Sequence, residues 1–323
     1  MGIVKKSRFM FRKGRINRVW TAIYDFIERT LKEERTKRTE EETFRVYPIK
    51  PSLPAVGGFE GVGVVQEIGK QVTKLLPGDV VIPGVNGIGT WCSHTVQNEN
   101  DWLKIPPGTP TIFAATLRVN NCTAYRMLKD FARLEAGDVV IQNAANSGCG
   151  QAAIQIAAAR GIQRSDFDDV CQHLKDLGAT EVISDFSAQK GEIKQLLKDH
   201  GKPRLALNAV GGKAAITLMK YLEHGGTMVT YGGMSRQPIT LPTGLLIFND
   251  IKVVGYWMSR WHDKNGKSDE AQTMISELCD WSKKGKLKLP RHRMVPLMDY
   301  KSAIEITIGP YSTEKQILSM ESL

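Results

Sequence analysis

Residues 138–161 read DVVIQNAANSGCGQAAIQIAAARG, and the order of residue types in that stretch decides the fold. Asp138–Gln142 is a short run rich in Val and Ile, the composition of a strand covered on both faces. Asn146-Ser147-Gly148-Cys149-Gly150 then makes a tight turn, and Gln151–Arg160 is an Ala-rich apolar segment of helical length. That order puts a helix N-terminus at the end of a strand. Unpaired N–H groups and the helix dipole favour an anion there, and glycines let the backbone approach a pyrophosphate. Asn146–Gly150 is therefore a candidate dinucleotide loop, with Gly148 and Gly150 giving the close approach, although an ordinary strand-to-helix turn uses glycine too.

Downstream, the same grammar repeats. Strands are expected at Glu181–Ser184, Arg204–Val210, Gly226–Tyr231 and Lys252–Tyr256, with helices at Phe167–Leu177, Glu192–His200 and Lys213–Tyr221 between them. Alternating strands and helices imply a doubly wound parallel sheet of the Rossmann type. The strand Thr227–Tyr231 ends in Gly232-Gly233, a second glycine loop suited to the cleft at the carboxyl ends of such a sheet. Upstream, helical spacing runs through Ala114–Leu128. Before it, Tyr47 to about Pro110 is dense in Gly and Pro, with β-rich runs at Gly61–Ile68 and Asp79–Pro83. No internal repeat or low-complexity tract occurs, and the closing residues return to mixed short elements.

The chain has 323 residues, enough for two hydrophobic cores, with 41% hydrophobic and 24% charged residues and no apolar run long enough to span a membrane. Its net charge is +10, and half of it lies in residues 1–43, where twelve Lys/Arg face seven Asp/Glu. The first 24 residues lack acids and space Phe, Val, Trp and Ile in a near-helical pattern. A transit peptide and a solvated basic arm both account for that. Five scattered cysteines without a CxxC pair argue against a disulfide scaffold or zinc ribbon and for a reducing interior. Six dispersed histidines make no HxxxH pair, and neither a GxSxG elbow nor a GxxxxGK[ST] loop is present.

The runs YPIKPSLPAVGGFEGVGVVQEIG (47–69), LRVNNCTAYRML (117–128), VIQNAANSGCGQAAIQIAA (140–158), LALNAVGGK (205–213), GGTMVTYGGM (225–234) and STEKQILSM (312–320) carry a resemblance. From Arg45 onward the chain resembles the mitochondrial trans-2-enoyl-CoA reductases, the zinc-free branch of the medium-chain dehydrogenase/reductase superfamily. Where zinc-bearing members place a histidine ligand in GHE, Gly58-Phe59-Glu60 has Phe, so no metal is implied. The fold implied is α/β, a Rossmann sheet plus a truncated GroES-like β-rich catalytic domain. The parts are a basic arm (1–44), a partial GroES-like domain (45–121), a Rossmann NADP-binding domain (122–261) and a return to the catalytic domain (262–323).

The resemblance makes Tyr47 the catalytic proton donor and Asn120 a cofactor and substrate contact. Asn146–Cys149 match the pyrophosphate loop. Tyr231, Gly232, Gly233 and Met234 match a second cofactor loop, Tyr256, Trp257 and Met258 the segment beside the nicotinamide, and Lys315 a late cofactor-contacting lysine. The activity implied is NADPH-dependent reduction of 2-enoyl thioesters of coenzyme A or acyl carrier protein, in mitochondria, by a homodimer. A phenol with an ordinary pKa of about 10 keeps its proton at neutral pH, so Tyr47 can deliver one without a metal.

Two departures from the family pattern stand out. Residues 1–44 lack the β-rich pattern that should precede the tyrosine. Gly161–Phe167 is too short for a full second strand with its ribose-reading loop, leaving Arg164 as a remnant of a 2′-phosphate site. Two rivals remain: a quinone-reducing enzyme of the same fold, and a non-catalytic binding protein using the basic arm, for which nucleic acid is the less favoured partner.

Overall fold

The computed structural model describes residues 20–22, 55–161, 163–165, 171–182, 193–308 and 314–320. Tyr47 lies outside them, as do Ile183–Ser184 and Phe167–Val170 of the expected strand and helix. In chain order the strands are β1 (Trp20–Ala22), β2 (Gly63–Val64), β3 (Val80–Pro83), β4 (Trp102–Lys104), β5 (Val139–Gln142), β6 (Gln163–Ser165), β7 (Leu205–Asn208), β8 (Thr227–Thr230), β9 (Lys252–Gly255), β10 (His292–Pro296) and β11 (Lys315–Ser319). The helices are α1 (Thr111–Thr116), α2 (Cys122–Asp130), α3 (Gly148–Ala159), α4 (Cys171–Asp176), α5 (Ile193–His200), α6 (Gly212–Tyr221), α7 (Thr243–Asn249), α8 (Met258–Asn265), α9 (Asp269–Lys283) and α10 (Tyr300–Ile308).

The chain forms two compact units. One holds residues 1–119, 259–283 and 289–323, and the other 120–258 and 284–288. In the second, five parallel strands lie in the order β6-β5-β7-β8-β9, so the chain leaves β5 first to one side and then to the other. β5 and β7 are buried at every position, as their unbroken VVIQ and LALN runs require of strands covered on both faces. Ile141, Ala206, Leu218 and Met228 share one core cluster, and Ile154, Leu174, Leu177 and Val182 another.

The first unit contains two small sheets. β2, β3 and β4 pair antiparallel around Val65, Val72, Leu75 and Val81. In the other, β11 lies between β10, to which it runs parallel, and β1, to which it runs antiparallel. Within the stretch read as a basic arm, Trp20–Ala22 forms a strand. Helical spacing of apolar residues there is overridden by pairing with Ile317–Ser319.

Two further differences lie near the glycine loop. The helix expected over 114–128 is interrupted, because Leu117–Asn121 forms a π turn between α1 and α2. One extra residue in a turn leaves the apolar spacing on either side unchanged, so the pattern does not reveal it. After α3 the second strand exists but is three residues long, pairing Gln163, Arg164 and Ser165 with Val139, Val140 and Ile141. Of the strand expected at Glu181–Ser184, Glu181 is a single bridge residue.

Candidate functional site

At the carboxyl edge of the parallel sheet, β5 runs into Asn143, whose buried carboxamide does two jobs. Its Nδ2 donates to Asn208 Oδ1 at 2.8 Å and its Oδ1 accepts the Ala209 amide at 2.8 Å, which ties the ends of β5 and β7 together. Asn208 Nδ2 reaches on to Thr230 Oγ1 on β8 at 3.1 Å, while its Oδ1 also accepts the Gly211 amide at 3.1 Å. The sequence reading missed both asparagines. Their signal is a carboxamide closing an apolar run, in VVIQN and again in LALN.

The chain then turns through Ala144, held at φ 51° in the left-handed region. Ser147 caps α3, its side chain accepting the Gly150 amide at 3.1 Å. Such a cap is worth about 1 kcal/mol. A Cβ on Gly150 would lie 2.5 Å from the Ala144 carbonyl oxygen and 2.6 Å from that of Ala145, so the turn closes only with glycine. A Cβ on Gly148 would lie 2.6 Å from Asn120 Nδ2. Two candidates far apart in sequence, Asn120 and Gly148, thus meet at the start of a twelve-residue helix whose first turn holds no acidic residue.

The second glycine loop folds onto the same edge. The Tyr231 amide donates to Asn208 O at 3.0 Å and the Met234 amide to Ala209 O at 2.9 Å. Gly232 sits against Ala209, where a Cβ would be 3.1 Å from its carbonyl oxygen, whereas a Cβ on Gly233 would meet nothing within 4 Å. Met234 is exposed. The Tyr256 amide extends the ladder to Thr230 O at 2.9 Å. Its phenol donates to Met258 Sδ at 2.9 Å and stacks edge-on against Phe131. Burial chiefly, then the neighbouring Cys122, Asp130 and Cys149, raises the Tyr256 pKa against the opposing pull of Arg126, so the phenol keeps its proton. Trp257, beside it, is half-buried.

Lys315 belongs to the other unit. Its ammonium lies 2.9 Å from Glu60 Oε2, both side chains being less than a tenth exposed. Glu60 Oε1 accepts the amide of Val119 in the π turn at 2.5 Å. Arg118, next to it, is buried with Nη2 donating to Asn86 Oδ1 at 2.9 Å, and His262 Nε2 lies 3.3 Å from the Arg118 carbonyl. Among the described residues no three His, Cys, Asp or Glu side chains gather as a metal site.

The chemistry of these loops suits an anionic dinucleotide: backbone N–H groups at a helix start, neutral carboxamides, and space over Gly233 that a side chain would fill.

Comparison with known proteins agrees with this geometry. Residues 148–278 match the zinc-binding dehydrogenase family and residues 36–127 the alcohol dehydrogenase GroES-like domain. The chain is 47% identical over 283 residues to the mitochondrial enoyl-[acyl-carrier-protein] reductase of Xenopus tropicalis, covering 85% of this chain and 81% of that one. It is 48% identical over 281 residues to the protein of that name in Homo sapiens, covering 85% and 75%. Among solved structures, an Etr1p variant in complex with NADP and crotonyl-CoA superposes with a TM-score of 0.79 at 27% identity, covering 98% of this chain and 92% of that one. The mitochondrial 2-enoyl thioester reductase Etr1p/Etr2p heterodimer from Candida tropicalis gives 0.78 at 26% identity, covering 98% and 100%. With its parallel sheet and paired glycine loops, the chain belongs to the mitochondrial enoyl-[acyl-carrier-protein] reductase family of the medium-chain dehydrogenases/reductases.

Proposed function

We propose that the chain reduces trans-2-enoyl thioesters of coenzyme A or acyl carrier protein with NADPH, in mitochondrial fatty acid synthesis. The observation that carries this reading is the glycine-walled carboxyl edge of the parallel sheet, tied together by neutral carboxamides, in a chain 47–48% identical to reductases of that name. When bound, NADPH supplies the hydride that adds to the β-carbon of the thioester. The first amides of α3, at Gly148 and Cys149, take the pyrophosphate, and Asn120 lies over the same helix start. Gly232 and Gly233 leave room for the rest of the dinucleotide, with Tyr256, Trp257 and Met258 beside the nicotinamide. Tyr47, whose placement lies outside the described residues, donates its phenolic proton to meet the charge gathering on the thioester oxygen.

The 2′-phosphate is the weak point. Each charge-assisted hydrogen bond to it is worth roughly 1.5–3 kcal/mol, so the shortened Gly161–Phe167 stretch lowers NADPH affinity by about one to three orders of magnitude and leaves little preference over NADH. Calorimetry with both cofactors tests this, and a tight, NADPH-selective isotherm would overturn it. The function itself is tested by loss of reduced-nicotinamide absorbance on adding a trans-2-enoyl thioester. Oxidation driven by a quinone and not by the thioester would refute it.

The chain works as a homodimer in this proposal. Among the described residues β9 is an edge strand with β8 as its one neighbour, and α7 just before it buries none of its residues. Ile247 and Phe248 on α7 are 67% and 77% exposed. An open strand edge beside exposed apolar side chains suits a second copy, and sedimentation of the purified chain as a monomer would remove it.

A further inference from the structure

Glu60 is buried, and each of its carboxylate oxygens has a separate task. Oε2 holds the Lys315 ammonium at 2.9 Å and Oε1 holds the Val119 amide at 2.5 Å. Its own backbone is pinned, since its carbonyl accepts the Thr90 hydroxyl at 2.6 Å and the preceding Gly57 and Gly58 carbonyls accept the amides of Trp91 and Thr90. Lys315 is fixed likewise, at the start of β11, where its amide donates to Arg291 O at 2.8 Å. Within a regular helix the Val119 amide would donate to a carbonyl of the preceding turn. Here a side chain takes it, at the turn where an extra residue is accommodated.

A buried ion pair is weak evidence for stability, because apolar residues of the same volume often serve as well. The two charges call for another account, and the residues they hold supply it. Asn120, a proposed cofactor contact, follows Val119 directly in the chain.

We propose that Glu60 is a positioning residue: paired with Lys315, its carboxylate fixes the backbone at Val119 that enters Asn120, so that the Asn120 side chain stands ready for the dinucleotide. The proposal rests on the NADPH-binding reading above. Glu60 touches no reacting atom. Its removal weakens cofactor binding while the chemical step, once the cofactor is bound, is little changed.

The experiment uses the full chain and two variants, Glu60→Gln and the conservative Glu60→Asp. Asp keeps a charge for Lys315 but is too short to reach both partners, so it guards against failure of Glu60→Gln to fold. Hydrogen exchange at Val119 is measured without cofactor, NADPH affinity by fluorescence titration, and kcat and KM with an enoyl thioester. In Glu60→Gln, Val119 exchange should quicken at least tenfold and the Kd and KM for NADPH should rise about tenfold, with kcat within about threefold of the parent. Glu60→Asp should shift the same quantities in the same direction by about threefold. Unchanged Val119 exchange overturns the anchor, and faster exchange with unchanged NADPH affinity reduces Glu60 to a structural residue. Because exchange is read on the cofactor-free chain, a parent that fails to bind NADPH would refute the functional reading while leaving the anchor separately measured.

Discussion

The carboxyl edge of the parallel sheet and the interior around Glu60 are both built to hold chain in fixed positions, with opposite means. At the sheet edge, Asn143, Asn208 and Ser147 satisfy backbone amides without formal charge, and glycine removes every side chain in the way. Around Glu60 the anchors are charges separated widely in sequence, Glu60 with Lys315, beside a fully buried Arg118. Neutral donors at a helix start leave the local potential free to attract an anion. A buried charge pair cancels its own field and contributes direction instead. The first region offers a binding surface, and the second fixes the chain at Val119, just before Asn120.

The sharpest test of this contrast removes one charge. Lys315→Met removes the ammonium that faces a buried carboxylate, and the expected cost is about 3–5 kcal/mol in chemical denaturation. Adding Glu60→Gln to the same chain should recover most of that stability, since the buried negative charge is then removed with its lysine. A loss below about 1 kcal/mol for the single variant would show that Glu60 is solvated or otherwise paired. Gly150→Ala comes next. Its Cβ meets two backbone oxygens at 2.5 and 2.6 Å, neither of them the end of a flexible side chain, so the turn must shift at about 1–3 kcal/mol. NADPH affinity should fall with it, and a variant with parent stability would show that the loop opens freely.

The same contrast explains what could be read from the sequence. Packing against one's own neighbours leaves a local record. The runs that form β5, β7 and β8 are apolar because both sheet faces are covered, and Gly148 and Gly150 are small because the turn closes on itself. β6 left no such record, as its Gln-Arg-Ser has no apolar run, and β1 reads as helical until β11 pairs with it. Glu60 and Lys315, 255 residues apart, show no spacing at all, so the neutral loops were legible, Lys315 came only from the resemblance, and its pairing with Glu60 was not legible. Asn120 was found by resemblance to a family, and only the fold brings its carboxamide to Gly148.

His262 sharpens the comparison with a smaller effect. It is 2% exposed, and desolvation first, then the charge of Arg118, lowers its pKa well below 6.5, with the hydrogen bond to the Arg118 carbonyl opposing. The unfolded chain therefore takes up this proton at a higher pH than the folded one. Its contribution to stability is complete above about pH 6.5 and is lost as the pH falls below that value. His262→Gln keeps a donor for the carbonyl and cannot titrate, so its melting temperature should fall less than the parent's between pH 7 and pH 5. Parallel curves would place the acid sensitivity elsewhere.

The smallest expected effect on the fold concerns Gly233, and it separates a site from a mere turn. Gly150 and Gly232 are confined by the protein itself, while a Cβ on Gly233 meets nothing within 4 Å. Its φ is not among the positive values, so a side chain brings no backbone strain. Gly233→Ala and Gly233→Val should each stay within about 0.5 kcal/mol of the parent, the range of an exposed substitution, apart from the modest cost of β-branching in a loop. If the open space is where the dinucleotide lies, the same two variants should weaken NADPH binding, Val more than Ala, because each added carbon takes volume from the ligand and from nothing else. Stability unchanged with affinity reduced in that order would assign the space over Gly233 to the cofactor. Affinity unchanged in both would make the second glycine pair a turn, and would leave the start of α3 as the whole of the neutral binding surface.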